Sequence, residues 1–186
     1  MTTALLIIDM QQAILDGKGT QDRQPAIQAA LEATVGRLAR VLSSARNADA
    51  KVIVVQHDGG AGHRLETGSN GWLVRPEFVP LQSERLIHKK FGDAFFETTL
   101  DAVLSQLCIK RLVIGGCMTQ FCIDATVRSA VGHGYDVTLL RDGHTTADND
   151  ILTFDQIIAH HNATLDGFDA GMCEVRLAKC EDVTFD

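Results

Sequence analysis

Three side chains able to share nucleophilic chemistry stand at or just beyond the ends of apolar runs. They are Asp9 in "ALLIID" (4–9), Lys89 in "ERLIHK" (84–89), and Cys122 shortly after "KRLVIGG" (110–116). A thiol attacks only as the thiolate, so it needs a base and a positive field. In "IGGCMTQFCIDAT" (114–126), Thr119 is suited to cap a helix whose first turn is Gln120, Phe121 and Cys122. Free backbone N–H groups and the positive end of that helix would stabilise a thiolate there. Asp9 also fits a strand–loop turn, but a carboxylate among buried strands needs a partner. Lys89 sits beside Lys90, a pairing that equally fits a solvated face. Cys117 falls in the tight turn before the helix, and Cys108, Cys173 and Cys180 read as buried, inert thiols.

These residues meet only if the elements bearing them share one edge of a sheet. The runs 4–9 and 51–58 ("KVIVVQHD") are continuous and apolar, as strands buried on both faces are. Between them, Ile27, Leu31, Val35, Leu38 and Leu42 recur at helical spacing over 25–48, with Pro25 in the first turn. A glycine-rich loop runs to about residue 72, followed by a short strand at 84–89. Further along come a helix over 96–109, a strand at 110–116, and a helix over 120–134 stopped by glycines. A strand at 135–142, a helix over 151–168 and a terminal strand near 173–177 complete the chain. Strand and helix alternating in this way predict an α/β layer fold with a mainly parallel sheet, in one domain spanning 1–186. Ligands of such sheets bind beyond the carboxyl ends of the strands, where Asp9, His57, Asp58, Lys89 and Cys122 fall.

Composition narrows the function classes. A net charge of −7 over 186 residues argues against nucleic acid as a partner, because phosphate binding needs a clustered basic surface. No apolar run approaches membrane-spanning length, and "MTTALLIIDMQ" lacks the features of a signal peptide. The expectation is a cytoplasmic protein with no membrane partner. Its five cysteines are then free thiols, with no C-x-x-C pair to suggest zinc.

"ALLIIDMQ", "HKKFGDAFFETTL" (88–100) and "GGCMTQFCIDATVRSAVGHGYDV" (115–137) together resemble the isochorismatase-like cysteine hydrolase superfamily. "LRDGHTTADND…IIAHHNATL" (140–165) resembles its streptothricin hydrolase-like branch. The resemblance implies a three-layer α/β/α sandwich on a six-stranded sheet of order 3-2-1-4-5-6. It also implies an Asp9–Lys89–Cys122 triad, a cis peptide bond at Cys117–Met118, and an oxyanion hole from the N–H groups of Met118 and Cys122. The implied reaction is hydrolysis of a C–N bond in a small amide, lactam or ureido compound through a thioester on Cys122. No cofactor is implied, and a homo-oligomer, dimer or larger, is.

Departures from the family's subgroups sharpen this expectation. Nicotinamidases often hold a metal through Asp-x-His, but "QHDGGAGHRLETGSNGW" (56–72) has His57, Asp58 and His63 in another order, so no metal is expected. His57 reads instead as a pocket residue, and His160 and His161 as structural. Trp72 lines the substrate site or serves as a core or interface aromatic; Gln11 and Phe121 flank the triad motifs as further substrate contacts. Isochorismatase proper cleaves a vinyl ether without the cysteine, so Cys122 favours C–N hydrolysis. Two rivals from other classes are a receiver-like phosphorylation module, which needs a second acid beside Asp9, and a thiol redox sensor pairing Cys117 with Cys122. A dinucleotide-binding domain is disfavoured because no G-x-G-x-x-G follows the first strand.

Overall fold

The apolar run at the amino terminus forms β1 (Thr3–Ile8), in which residues 4–8 have no exposed surface. This computed structural model describes residues 2–185. Along the chain follow α1 (Gln24–Asn47), β2 (Lys51–His57), β3 (Arg85–Lys89), α2 (Leu100–Gln106), β4 (Arg111–Cys117), α3 (Asp124–Gly132), β5 (Asp136–Thr145), α4 (Phe154–Leu165), β6 (Asp169–Ala170) and β7 (Cys173–Ala178). The strands form one sheet of order β3-β2-β1-β4-β5-β7-β6. Every pairing is parallel except that of β6 with β7.

Alternation along the central strands separates two cores, because successive side chains leave opposite faces of a strand. Leu5, Ile7 and Val54 pack with Ile27, Leu31, Leu38 and Leu42 of α1 on one face. Leu6, Ile8 and Val55 pack with Leu100 and Leu104 of α2 and with Val127 and Val131 of α3 on the other. This is the three-layer sandwich, and its strand order agrees with the expected one once β6 is added at the edge. The expected six strands become seven. Two residues between Gly167 and Gly171 are too short to show any hydrophobic period, so β6 was invisible in the sequence.

Several boundaries also move, each for a local reason. The helix expected from residue 96 begins at Leu100, because Asp93 and Thr98 hold the preceding segment in turns. The Phe95 N–H donates to Asp93 Oδ1, and Thr98 Oγ1 donates to the Ala94 carbonyl. The helix expected over 120–134 is α-helical only from Asp124. Residues Thr119–Ile123 are π-wound, with the Ile123 N–H reaching the Met118 carbonyl five residues back. Thr119 does not cap this turn. By contrast α1 starts with Pro25 in its first turn, and Thr153 and Gln156 form a capping box on α4. Among the described residues no helix is long and apolar enough to cross a membrane.

Candidate active site

The carboxyl edge of the sheet gathers the three side chains. Asp9 follows β1 in the left-handed region at φ 52°, its N–H donating to the Val55 carbonyl, and its side chain is buried. Asp tolerates that conformation better than most residues, and such backbone strain clusters at functional sites. Lys89 is the last residue of β3 and is 2% exposed, whereas Lys90 is exposed; the solvated-face alternative fits only Lys90. Lys89 Nζ lies 2.7 Å from Asp9 Oδ2 and donates to the Phe91 carbonyl at 2.9 Å and to Cys122 Sγ at 3.2 Å. Gly116 lets the end of β4 lie close against the end of β1, which carries Asp9. A Cβ on Gly116 (φ 134°) would overlap the Ile8 carbonyl, immediately before Asp9.

Electrostatics at the thiol run opposite to the sequence expectation. Burial, followed by the Asp9 carboxylate, pushes the Cys122 thiol up to about 12, and Lys89 only partly opposes them. The helix-end field does not win, so Cys122 rests as a thiol. Burial would draw the Lys89 ammonium down, yet its pairing with the Asp9 carboxylate, aided by the contact with Cys122, outweighs it and holds Lys89 above its ordinary value. The Lys89 ammonium is thus the ion-pair partner of the buried Asp9 carboxylate, at Oδ2. Cys117 is fully buried and forms part of the α1-side core, and burial drives its thiol far up.

The other expected residues divide by role. Gln11 is fully occupied by backbone: its amide donates to the carbonyls of His57 and Trp72 and accepts from the His57 N–H. It braces the loop after β1 against β2 and leaves no amide atom for a ligand. Trp72 donates its indole N–H to Asp58 Oδ1 at 2.8 Å and stacks on His88. His57 is half-buried with Nδ1 unpartnered; burial first, then Lys89, lowers its pKa against the pull of Asp9. Phe121 is 57% exposed beside Cys122, and Phe91 and Phe96 form an exposed aromatic pair on the segment after Lys89. Among the described residues no group of three or more His, Cys, Asp or Glu side chains could hold a metal ion.

The sequence singled out neither of two further residues here. Arg64, in the glycine-rich loop, donates from Nε to the Ile14 carbonyl and touches Met118 Sδ with Nη2 at 3.6 Å. Burial lowers its pKa, while Cys122, Asp16 and Asp9 pull the other way, and it forms no ion pair among the described residues. His144, in "GHTT", is buried between Thr119 and Asn162. Burial lowers it to about 4, with the Asn162 bond and Asp142 opposing and His161 assisting. A histidine depressed from 6.5 stabilises the fold in full above that pH, and the contribution drains away as the pH falls through it toward about 4. Denaturant titrations should show roughly 3 kcal/mol lost across this window, and His144→Asn should flatten that slope.

The chain belongs to the isochorismatase family: the family's Isochorismatase domain model matches residues 3–159. It is accordingly a hydrolase of that family, on the family's α/β fold. It is 38% identical over 148 residues to an uncharacterized isochorismatase family protein, YddQ, of Bacillus subtilis, covering 78% of this chain and 79% of that one. It is 33% identical over 145 residues to a streptothricin hydrolase of Streptomyces noursei, covering 78% of this chain but only 50% of that protein. Among solved structures, an isochorismatase from Pseudomonas putida KT2440 superposes with a TM-score of 0.85 at 27% identity, over 97% of this chain and 89% of that one.

Proposed function

We propose that the protein is a cysteine amidohydrolase that cleaves a C–N bond of a small molecule through a thioester on Cys122. The observation that carries this reading is one lysine amine in contact with both a buried carboxylate and a thiol. The names of two relatives, streptothricin hydrolase and a ureidoacrylate amidohydrolase of Variovorax paradoxus that is 26% identical, point to the same bond type. Isochorismatase-type ether hydrolysis gives Cys122 no role. The receiver-like alternative loses its second acid, because Asp58 Oδ1 is engaged by Trp72 and His88.

Asp9 takes the Cys122 proton as sulfur bonds to the substrate carbonyl carbon, and the C=O electron pair moves onto oxygen. The N–H groups of Met118 and Cys122, on the turn that carries the thiol, are the donors we assign to this oxyanion. Collapse restores the carbonyl and breaks the C–N bond, and the proton on Asp9 passes to the leaving nitrogen. Water then attacks the thioester, giving its proton to Asp9; the C–S bond breaks and the proton returns to sulfur. Lys89 stays protonated throughout and offsets the negative charge as it moves between carboxylate and sulfur. Because the proton is shared by a coupled set, any pH profile reports that set rather than one residue.

The test is an ammonia-release screen over amides, ureido acids and lactams, with mass spectrometry for a thioester on Cys122. Turnover without a Cys122 adduct, or silence across the whole panel, would overturn the assignment. Within the panel, the unpaired Arg64 should favour substrates carrying a carboxylate. Arg64→Met is expected to raise KM for those about 10- to 100-fold, the worth of a charged hydrogen bond, and to leave neutral amides nearly unchanged. Equal effects on both groups would show that Arg64 does not read substrate charge.

A further inference from the structure

His144 is a buried titratable group that the reaction above does not use. It lies opposite Gly116 across the β4–β5 pairing, just past a register shift. That irregularity lets β5 bulge and brings His144 beside the turn that follows β4. The amide of Asn162 on α4 is oriented by its own bond, with Nδ2 donating to the Arg141 carbonyl at 2.9 Å. Oδ1 is thereby left to accept from His144 Nε2–H at 3.0 Å. With its proton on Nε2, the ring presents a lone pair at Nδ1, and the Thr119 hydroxyl donates to it at 2.9 Å. Hydrogen-bond direction thus selects one neutral tautomer along the whole chain of bonds.

We infer that His144 is a positioning residue: held in that tautomer by Asn162, it anchors Thr119 and so sets the orientation of the π-wound turn that carries Cys122 and follows Met118. The turn has no side-chain cap of its own, and Thr119, which the sequence marked as one, spends its hydroxyl on His144 instead. The link joins α4, β5 and the turn, and both Thr119 and His144 are almost wholly buried. This inference rests on Cys122 being the nucleophile. It assigns to His144 and Thr119 an effect on the chemical step rather than on substrate affinity.

The experiment pairs variants that keep the Thr119–His144 bond with variants that lose it. Thr119→Ser keeps the hydroxyl and Thr119→Val removes it. His144→Asn places an acceptor where Nδ1 was, whereas His144→Gln reaches only the Nε2 position. Thr119→Val and His144→Gln should each lower kcat about ten-fold with KM within about two-fold, as loss of one positioning hydrogen bond implies. Both should slow alkylation of Cys122 by iodoacetamide, followed on the Cys122 peptide by mass spectrometry. Thr119→Ser and His144→Asn should keep most of the activity. The double variant Thr119→Val/His144→Gln should be no worse than the poorer single one, because one bond is being removed twice. Should His144→Gln fail to fold, the Thr119 pair decides alone.

Three results would overturn the inference: equal kcat in Thr119→Val and Thr119→Ser, a rise in KM alone, or losses that multiply in the double variant. Failure of the catalytic reading looks different, because turnover would then survive Cys122→Ala.

Discussion

Cys122→Ala removes hydrolysis of the best amide substrate by at least about 10⁴-fold, the scale of losing a nucleophile, and leaves the fold in place. The side chain is only partly buried and lies at the edge of its hydrophobic cluster, so its truncation should cost about 1 kcal/mol or less. Far-UV circular dichroism and a melting curve check the second half of that statement. Cys117→Ala separates the two thiols. Cys117 has no exposed surface and packs in the α1-side core, so its loss should lower the melting temperature and cost far less turnover. Full turnover in Cys122→Ala would end the thioester mechanism. An equal collapse in both variants would mean that the turn, not the thiol, had been tested.

Asp9→Asn should separate thiol reactivity from catalysis. In the native site burial and then the Asp9 carboxylate hold the thiol near 12, against the pull of Lys89. Replacing the carboxylate by an amide removes the raising charge and leaves the lysine, which favours the thiolate. The midpoint of Cys122 alkylation against pH should therefore move downward, by about one to three units for a charge this close. At neutral pH the variant should alkylate faster than the native protein and hydrolyse its substrate at least about 10³-fold more slowly, because no base remains to carry the proton. Lys89→Met should shift the alkylation midpoint upward instead. A thiol whose titration ignores both substitutions would mean that the contacts at 2.7 Å and 3.2 Å do not govern it.

Much of this was legible in the chain itself. The strands β1, β2, β4 and β5 follow from short apolar runs, and α1 from its periodic leucines and Pro25. Strand ends then named Asp9, Lys89 and Cys122 as neighbours. What stayed hidden depended on partners distant in sequence. Gln11 looked like a ligand contact and is a brace, because its partners are the backbone of residues 57 and 72. Thr119 looked like a helix cap, and its hydroxyl is claimed by His144, 25 residues away. Arg64 lies in a loop with no periodicity, and its approach to Met118 spans 54 residues of chain.

Local pattern thus determined the fold class and put Asp9, Lys89 and Cys122 near one edge of the sheet, because side-chain period and strand termini are properties of short segments. The choice of Lys89 over Lys90 came from the family resemblance, not from spacing. The protonation state of the thiol was decided only in the folded chain. A helix end on its own argues for a thiolate, but burial and a carboxylate brought in by β1 exceed that field, and the lysine on β3 offsets them only in part. Charge interactions add over everything within a few ångströms in space, and only the tertiary structure says what those things are.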